Sequence, residues 1–162
     1  MSERAITRLA RRLGARCEQR GVMVATAESC TGGGVAQAIT RIAGSSAWFE
    51  RGFVTYTNLA KEEMLGVSHA TLEAHGAVSE EAACEMAAGA LARSGAEVSV
   101  AITGIAGPGG GSREKPVGLV WFAWAHRGGP VQARRFVFDG DRAAVRERSV
   151  AVALQGLIDL LA

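Results

Sequence analysis

The sequence predicts an α/β fold, a three-layer αβα sandwich around a mixed, mostly parallel sheet that includes one antiparallel hairpin. In the first two thirds of the chain, short apolar runs alternate with helical segments, which is typical of parallel strands joined by helices. Near the end, the alternating segments 117–125 and 131–138 are joined by a short Gly-Pro turn, which predicts an antiparallel pair. With 162 residues, no internal repeat and no linker, we predict one domain over 1–162.

The first predicted helix covers residues 4–20, where apolar residues recur at helical spacing and Gly21 is suited to end the helix. Ser68 and Ser79 are predicted helix N-caps. Four more helices are predicted over residues 35–42, 58–66, 80–93 and 141–161.

Three buried strands are predicted over residues 22–26, 52–57 and 97–103. A polar turn, AESCTGGG at 27–34, separates the first strand from the next helix, and the glycine-rich loop 104–116 follows the third strand. Such junctions between a strand and the following segment are where α/β proteins build their sites, so we expect the functional residues there.

Composition restricts the function classes. The hydrophobic fraction is 48% and the charged fraction 21%, which is ordinary for a globular protein, and the net charge of +2 is too small to predict nucleic acid binding. No apolar run is long enough for a signal peptide or a membrane span, so no membrane association is expected. The three cysteines are odd in number and lack CxxC spacing, which favours a reducing compartment, and we expect the cytoplasm.

Ser29 is the first candidate for chemistry because it lies where a strand passes into a helix, before Cys30, Thr31, Gly32 and Gly33. Backbone N–H groups in such a turn are free to hold a developing oxyanion or a substrate phosphate. The alternative is that Ser29 or Thr31 only caps the next helix.

Lys61 is the candidate base for a serine nucleophile, since a partly desolvated lysine can lose its proton near neutral pH and Ser–Lys pairs are a known variant of the serine triad. Tyr56 lies in the same strand-to-helix connection and could orient the lysine or relay a proton. The alternative is a solvated helix lysine. His69, His75 and His126 show no triad arrangement with a carboxylate.

The remaining candidates are polar groups near the predicted site. The loop 104–116 fails the P-loop and dinucleotide patterns, but Thr103 and Gly104 at its start suit the approach of a flat polar group. Arg142 and Arg146 are four residues apart in the last helix and could bind a phosphate, or could instead pair with nearby acidic residues. No HExxH motif or His/Cys ligand cluster is present, so no metal is expected.

Several segments together resemble the CinA carboxy-terminal domain family, whose members are also known as nicotinamide-nucleotide amidases. The matching segments run through nearly the whole chain in order and are TAESCTGG at 26–33, GFVTYTNLAKEEMLGV at 52–67, HGAVSEEAACEMA at 75–87, AITGIAGPGGG at 101–111, KPVGLVWFA at 115–123 and FDGDRAAVRERSV at 138–150.

The resemblance implies hydrolysis of nicotinamide mononucleotide (NMN) to nicotinic acid mononucleotide and ammonia, without a cofactor or metal. It places the nucleophile on Ser29, the base on Lys61 and the tyrosine of the site on Tyr56. It also implies a homo-oligomer, for which Trp48 and Phe49 are candidate surface residues, although aromatic residues are more often found in the core. The alternatives are a non-catalytic nucleotide-binding module and an amidase or esterase that acts on a related nucleotide.

Overall fold

The computed structural model describes residues 2–162. The helices are α1 (Glu3–Arg20), α2 (Gly34–Thr40), α3 (Asn58–Leu65), α4 (His69–His75), α5 (Glu80–Ala92) and α6 (Arg142–Leu160), with a 3-10 helix at Ser45–Ala47. The strands are β1 (Val24–Glu28), β2 (Phe49–Val54), β3 (Val98–Gly104), β4 (Leu119–His126) and β5 (Val131–Val137).

The five strands form one mixed sheet in the order β2-β1-β3-β4-β5. β1 pairs in parallel with both β2 and β3, whereas β4 is antiparallel to both β3 and β5. Four strands therefore share one direction and only β4 opposes them. The predicted mixed α/β sheet with its antiparallel hairpin is confirmed.

The two faces of the sheet pack against different hydrophobic cores. The alternating side chains of β4 belong to one core and then the other. Phe122 and Trp124 join a core of large side chains with α1, α2 and α6. Ala123 and Ala125 face the opposite way and join an alanine-rich core with α5. Because successive side chains of a strand point to opposite faces, one strand serves both cores.

The carboxyl ends of β1 and β3 lie side by side, since Glu28 pairs with Ile102 in the register of the two strands. The chain leaves β1 at Ser29, whose N–H donates to the Ile102 carbonyl at 2.9 Å. The next connection is attached at the same edge, because the Thr55 N–H donates to the Glu28 carbonyl at 2.8 Å. The turn after β1 and the segment after β2 are thus neighbours.

Two predicted strands are displaced along the chain. The first was expected at 22–26 and lies at Val24–Glu28, because hydrogen bonds satisfy the buried Glu28 carboxylate and allow a charged residue to end the strand. The second was expected at 52–57 and lies at Phe49–Val54, where Glu50 and Arg51 are tolerated because β2 is an edge strand. Tyr56 therefore lies beyond the strand.

The predicted caps are confirmed: Ser68 accepts a hydrogen bond from the Thr71 N–H and Ser79 accepts one from the Ala82 N–H. Trp48, which the sequence left open as a surface or a core residue, is 2% exposed, because its ring packs over the Cα of Gly14 in α1. Within residues 2–162, no helix has the length and apolar character that a bilayer crossing requires.

Candidate active site

Ser29 and Lys61, 32 positions apart in sequence, meet at the carboxyl edge of the sheet. The Lys61 Nζ atom lies 3.0 Å from the Ser29 Oγ atom. Nζ also donates to the backbone carbonyls of Thr55 at 2.8 Å and Tyr56 at 3.1 Å. The predicted nucleophile and its predicted base are therefore in hydrogen-bonding contact, and two carbonyl groups fix the position of the amine.

Helix α3 places the lysine. The Thr57 hydroxyl caps this helix by accepting from the Ala60 N–H, and the Lys61 N–H donates to the Thr57 carbonyl. The helix starts immediately after the two carbonyls that bind the Nζ atom, so the side chain folds back over its own N-terminal connection. Two of the three hydrogen-bond partners of the amine thus come from the connection that leads into its own helix.

Burial changes the acidity of this lysine. Lys61 is 1% exposed, and burial lowers its pKa from 10.5 to about 8, because removal from water disfavours the charged ammonium. Among residues 2–162, no carboxylate forms an ion pair with Lys61. A substantial fraction of the lysine is neutral at mildly alkaline pH.

Ser29 lies in a tight turn that reverses the chain between β1 and α2. The turn uses left-handed backbone at Gly32 (φ +59°) and Gly33 (φ +99°), which glycine adopts without steric cost. In the described part of the chain, the Cys30 N–H donates to no backbone carbonyl and instead interacts with the thiol of its own side chain, beside Ser29.

The N-terminus of α2 is occupied by a side chain of the protein itself. The Glu28 carboxylate accepts from the N–H groups of Val35 at 2.9 Å and Ala36 at 3.0 Å, and from the Thr31 hydroxyl at 2.6 Å. The Val35 and Ala36 N–H groups, which were candidates for holding a substrate phosphate, therefore already donate to a carboxylate of the protein.

A cavity of about 290 Å³ opens in front of the Ser29 hydroxyl. Seven of the predicted site residues line it: Ser29, Cys30, Tyr56, Lys61, Thr103, Gly104 and Arg142. The other four predicted site residues, Thr31, Gly32, Gly33 and Arg146, do not line it. The remaining wall consists of Ala77, Val78 and the loop from Ile105 to Gly110, with Pro108 excepted.

Tyr56 and Arg142 meet at this cavity. The Arg142 guanidinium donates to the Tyr56 hydroxyl at 3.1 Å and to the Gly107 carbonyl at 2.9 Å. Tyr56 is 60% exposed, and its ring hydroxyl contacts Arg142 rather than the lysine. The predicted orienting role of Tyr56 falls to its backbone carbonyl, because the strand ends before this residue and its side chain points outward.

Arg146 diverges from Arg142 although the two are four residues apart. Its guanidinium donates to the carbonyls of Cys30 at 3.1 Å and Thr31 at 3.3 Å. It lines a separate cavity between α1, α2 and α6, behind the serine turn. The two arginines therefore do not form a joint phosphate site in this structure.

The thiol next to Ser29 is not a competing nucleophile. Cys30 is buried, and burial raises the pKa of its thiol to about 12. A thiol with such a pKa stays protonated at neutral pH and reacts poorly, because the thiolate is the reactive form. The Ser29 hydroxyl therefore remains the candidate nucleophile at this edge of the sheet.

A comparison with protein families identifies the chain. The model described as the CinA C-terminal domain matches residues 6–161. The chain belongs to the CinA C-terminal domain family. The resemblance seen in the sequence motifs is thereby confirmed.

Curated members of the family are similar over nearly the full length. The chain is 57% identical over 157 residues to a protein of Escherichia coli (strain K12) named nicotinamide-nucleotide amidohydrolase PncC, covering 97% of this chain and 95% of that protein. It is 54% identical to a protein of the same name from Pseudomonas putida, with 96% of each covered. Among solved structures, competence/damage inducible protein CihA from Agrobacterium tumefaciens matches with a TM-score of 0.94 and 55% identity, covering 96% of this chain and 95% of that one.

Some lining residues of this CinA-family site were not predicted from the sequence. Ala77 and Val78 are brought to the cavity because the Thr103 hydroxyl donates to the Ala77 carbonyl at 2.8 Å. Apolar and backbone contributors of this kind leave no chemical signal in a sequence. Glu28 was also missed, although an acidic residue directly before a candidate nucleophile is a signal that could have drawn attention to it.

Proposed function

We propose that this chain is a nicotinamide-nucleotide amidohydrolase that converts NMN to nicotinic acid mononucleotide and ammonia through a Ser29–Lys61 acyl-enzyme mechanism. The carboxamide hydrolase activity is supported by family membership and by the printed names of full-length relatives. The mechanism is supported by the geometry of the serine and the lysine.

The decisive observation is the set of three partners around the Lys61 Nζ atom. A neutral amine has two N–H bonds and one lone pair. The carbonyls of Thr55 and Tyr56 use the two N–H bonds, which leaves the lone pair directed at the Ser29 hydroxyl. The site therefore accommodates the neutral lysine without an unsatisfied group, and the neutral lysine is the form that acts as a base.

In the proposed reaction, the Ser29 hydroxyl donates its proton to Lys61 while Oγ attacks the carboxamide carbon. The tetrahedral intermediate then collapses, the C–N bond breaks, and Lys61 gives the proton to the leaving nitrogen, which departs as ammonia. Water attacks the resulting acyl ester with Lys61 again as base. The acid product leaves and the proton returns to Ser29, so the lysine ends each cycle unchanged.

Charge on the substrate is met by two groups that line the cavity. The Cys30 N–H, which donates to no backbone carbonyl in residues 2–162, is a donor for the oxyanion of the tetrahedral intermediate, and loss of one such donor typically costs about 100- to 1000-fold in rate. Arg142 supplies a cationic side chain for the phosphate. Its present acceptors, the Tyr56 hydroxyl and the Gly107 carbonyl, are neutral and can be exchanged for a phosphate.

The test is ammonia release from NMN by Ser29→Ala, with Ser45→Ala as the matched control because both serines are 8% exposed. We expect loss of turnover in the first variant and full turnover in the second, with EDTA present throughout. Near-normal turnover of Ser29→Ala would remove this residue from the mechanism.

The choice of substrate is tested on the wild-type chain with NMN, nicotinamide riboside and free nicotinamide. Release of ammonia from NMN alone supports the proposal. Equal release from the riboside would contradict a role for the phosphate, and no release from any of the three would favour a non-catalytic nucleotide-binding module.

We also propose that the chain acts in the cytoplasm as a homo-oligomer. The support for self-association is a group of exposed apolar side chains around β2 and α3: Val54, Leu59 and Met64, which are 47%, 62% and 40% exposed. Exposed apolar side chains are typical of surfaces that bind another protein chain when they form a patch.

A further inference from the structure

The turn that carries Ser29 is held from two sides by charged side chains that do not line the substrate cavity. On one side, Glu28 connects the turn to the first residues of α2 through the Val35 and Ala36 N–H groups and the Thr31 hydroxyl. On the other side, Arg146 of α6 donates to the carbonyls of Cys30 and Thr31. Neither side chain touches the Ser29 Oγ atom.

A glutamate at this buried position is energetically unfavourable, so its role is expected to go beyond packing. The whole residue is 0% exposed, and its carboxylate has no cationic partner among residues 2–162. Burial of a carboxylate is unfavourable unless donors replace its hydration, and here two N–H groups and one hydroxyl do so. All three donors belong to the turn or to the helix that follows it.

Arg146 acts on other groups of the same turn, since it binds the Cys30 and Thr31 carbonyls rather than the start of α2. The carbonyl and the N–H of a trans peptide unit point in opposite directions, so a donor that fixes the Cys30 carbonyl also fixes the direction of the Thr31 N–H. The Thr31 side chain is fixed in turn by its short hydrogen bond to Glu28. The orientation of the peptide units after Ser29 thus depends on both charged groups.

We propose that Glu28 and Arg146 are positioning residues that clamp the serine turn and hold the Ser29 hydroxyl within reach of Lys61. The inference rests on the proposed function, since it assumes that Ser29 is the nucleophile. It assigns Arg146 to the turn and leaves substrate contact to Arg142.

The test measures the reactivity of Ser29 directly, with a fluorophosphonate probe and mass spectrometry. In the labelling step a Ser29 Oγ–P bond forms and the P–F bond breaks. Fluoride leaves, and the hydroxyl proton passes to the Lys61 Nζ atom. The rate constant of labelling therefore reports on the serine and the lysine without any nicotinamide nucleotide, and Ser29→Ala is the blank.

The variants are Glu28→Gln, Thr31→Val and Arg146→Met. Glutamine has only one acceptor oxygen, so the NH2 group of its amide would face the Ala36 N–H. Two donors would then oppose each other, and the hydrogen bond to Ala36 would be lost. Thr31→Val removes one hydrogen bond to Glu28 and keeps the shape of the side chain. This variant tests the role of Glu28 if Glu28→Gln does not fold. Two controls test stability alone: Ser99→Ala removes the buried hydrogen bond to the Ala87 carbonyl, and Arg148→Met removes a neighbouring arginine that binds the Asp139 carbonyl.

We expect the three clamp variants to label about 10- to 100-fold more slowly than the wild type, because a displacement of about 1 Å has effects of that size. The two controls should label at the wild-type rate, even where their thermal midpoints fall by the same amount. Rates within twofold of wild type in folded clamp variants would overturn the proposal, as would a wild-type chain whose Ser29 is not labelled.

Kinetics with NMN separate this proposal from the proposed function. An Arg146→Met variant with an unchanged labelling rate and a raised KM for NMN would overturn the clamp and return Arg146 to substrate binding. Labelling of the wild type and slow labelling of the clamp variants, without ammonia release from NMN, would refute the proposed function and leave the clamp standing.

Discussion

At the scale of single residues, the site depends on one lysine with a lowered pKa. Burial lowers the pKa of Lys61 to about 8, and the two carbonyls that fix its Nζ atom accept hydrogen bonds from the neutral as well as from the charged amine. A carboxylate beside the lysine would raise its pKa again, and none forms an ion pair with it in residues 2–162. The absence of a carboxylate partner among these residues therefore keeps the pKa of Lys61 low.

The first prediction concerns the pH dependence of kcat/KM for NMN. A pKa of about 8 leaves Lys61 mostly protonated at pH 7, so activity should rise about tenfold per pH unit below the pKa and level off above pH 9. A profile that is flat between pH 6 and 9 would contradict the assignment of Lys61 as the base.

The matched control for this profile is Lys61→Arg. Arginine keeps the positive charge but does not lose its proton in proteins, so kcat should be strongly reduced at every pH and should not recover at pH 9. Recovery of this variant at high pH would assign the rise to another group.

At the scale of elements, the position of the lysine depends on how α3 sits on α5. A Cβ atom added at Gly89 of α5 would lie only 2.0 Å from the Leu65 carbonyl oxygen at the end of α3. The backbone of α3 at Leu65 thus lies directly against the backbone of α5 at Gly89. This contact leaves no room for a side chain at Gly89, so it requires glycine. Since Lys61 lies one turn before Leu65, the same contact determines where the lysine amine reaches the sheet edge.

The second prediction is that Gly89→Ala destabilises the protein by about 1–3 kcal/mol, the usual range for overpacking, and lowers kcat because α3 must move. The free energy of unfolding is measured by urea denaturation. Gly95→Ala is the control, since a Cβ there would meet only Glu50 at 4.0 Å. Equal stability of the two variants would show that α3 and α5 adjust without cost.

At the scale of the whole molecule, the candidate site at the carboxyl ends of the strands lies next to the exposed apolar side chains of β2 and α3. β2 is an edge strand, and Val54 at its end lies near Leu59 and Met64 in sequence and near the serine turn through Gly33. An interface on this group would lie close to the mouth of the substrate cavity, where Tyr56 is also exposed. Assembly and catalysis are therefore expected to influence each other.

The third prediction is that the chain sediments as an oligomer and that Leu59→Glu converts it to a monomer of 16.8 kDa. A buried carboxylate without a partner would oppose association. Val131→Glu, on the other edge of the sheet, is the control and should sediment as the wild type does. A wild-type chain that sediments as a monomer would refute the proposed oligomer.

The sequence by itself determined the element types, the mixed sheet and the candidates Ser29 and Lys61. These follow from hydrophobic periodicity, capping residues and motif resemblance, which are local properties that a sequence records directly. It placed β2 three residues too late, because the charges of an edge strand resemble a loop. It also joined Arg142 with Arg146, because helical spacing shows which residues share a face but not what each side chain meets.

Only the tertiary structure decided the distances and the directions of hydrogen bonds. The approach of Nζ to the Ser29 hydroxyl and the separation of the two arginines depend on segments far apart in the chain. Such contacts arise when parallel strands align their ends and helices pack on them. They are properties of packing between elements, and no local pattern of residues specifies them.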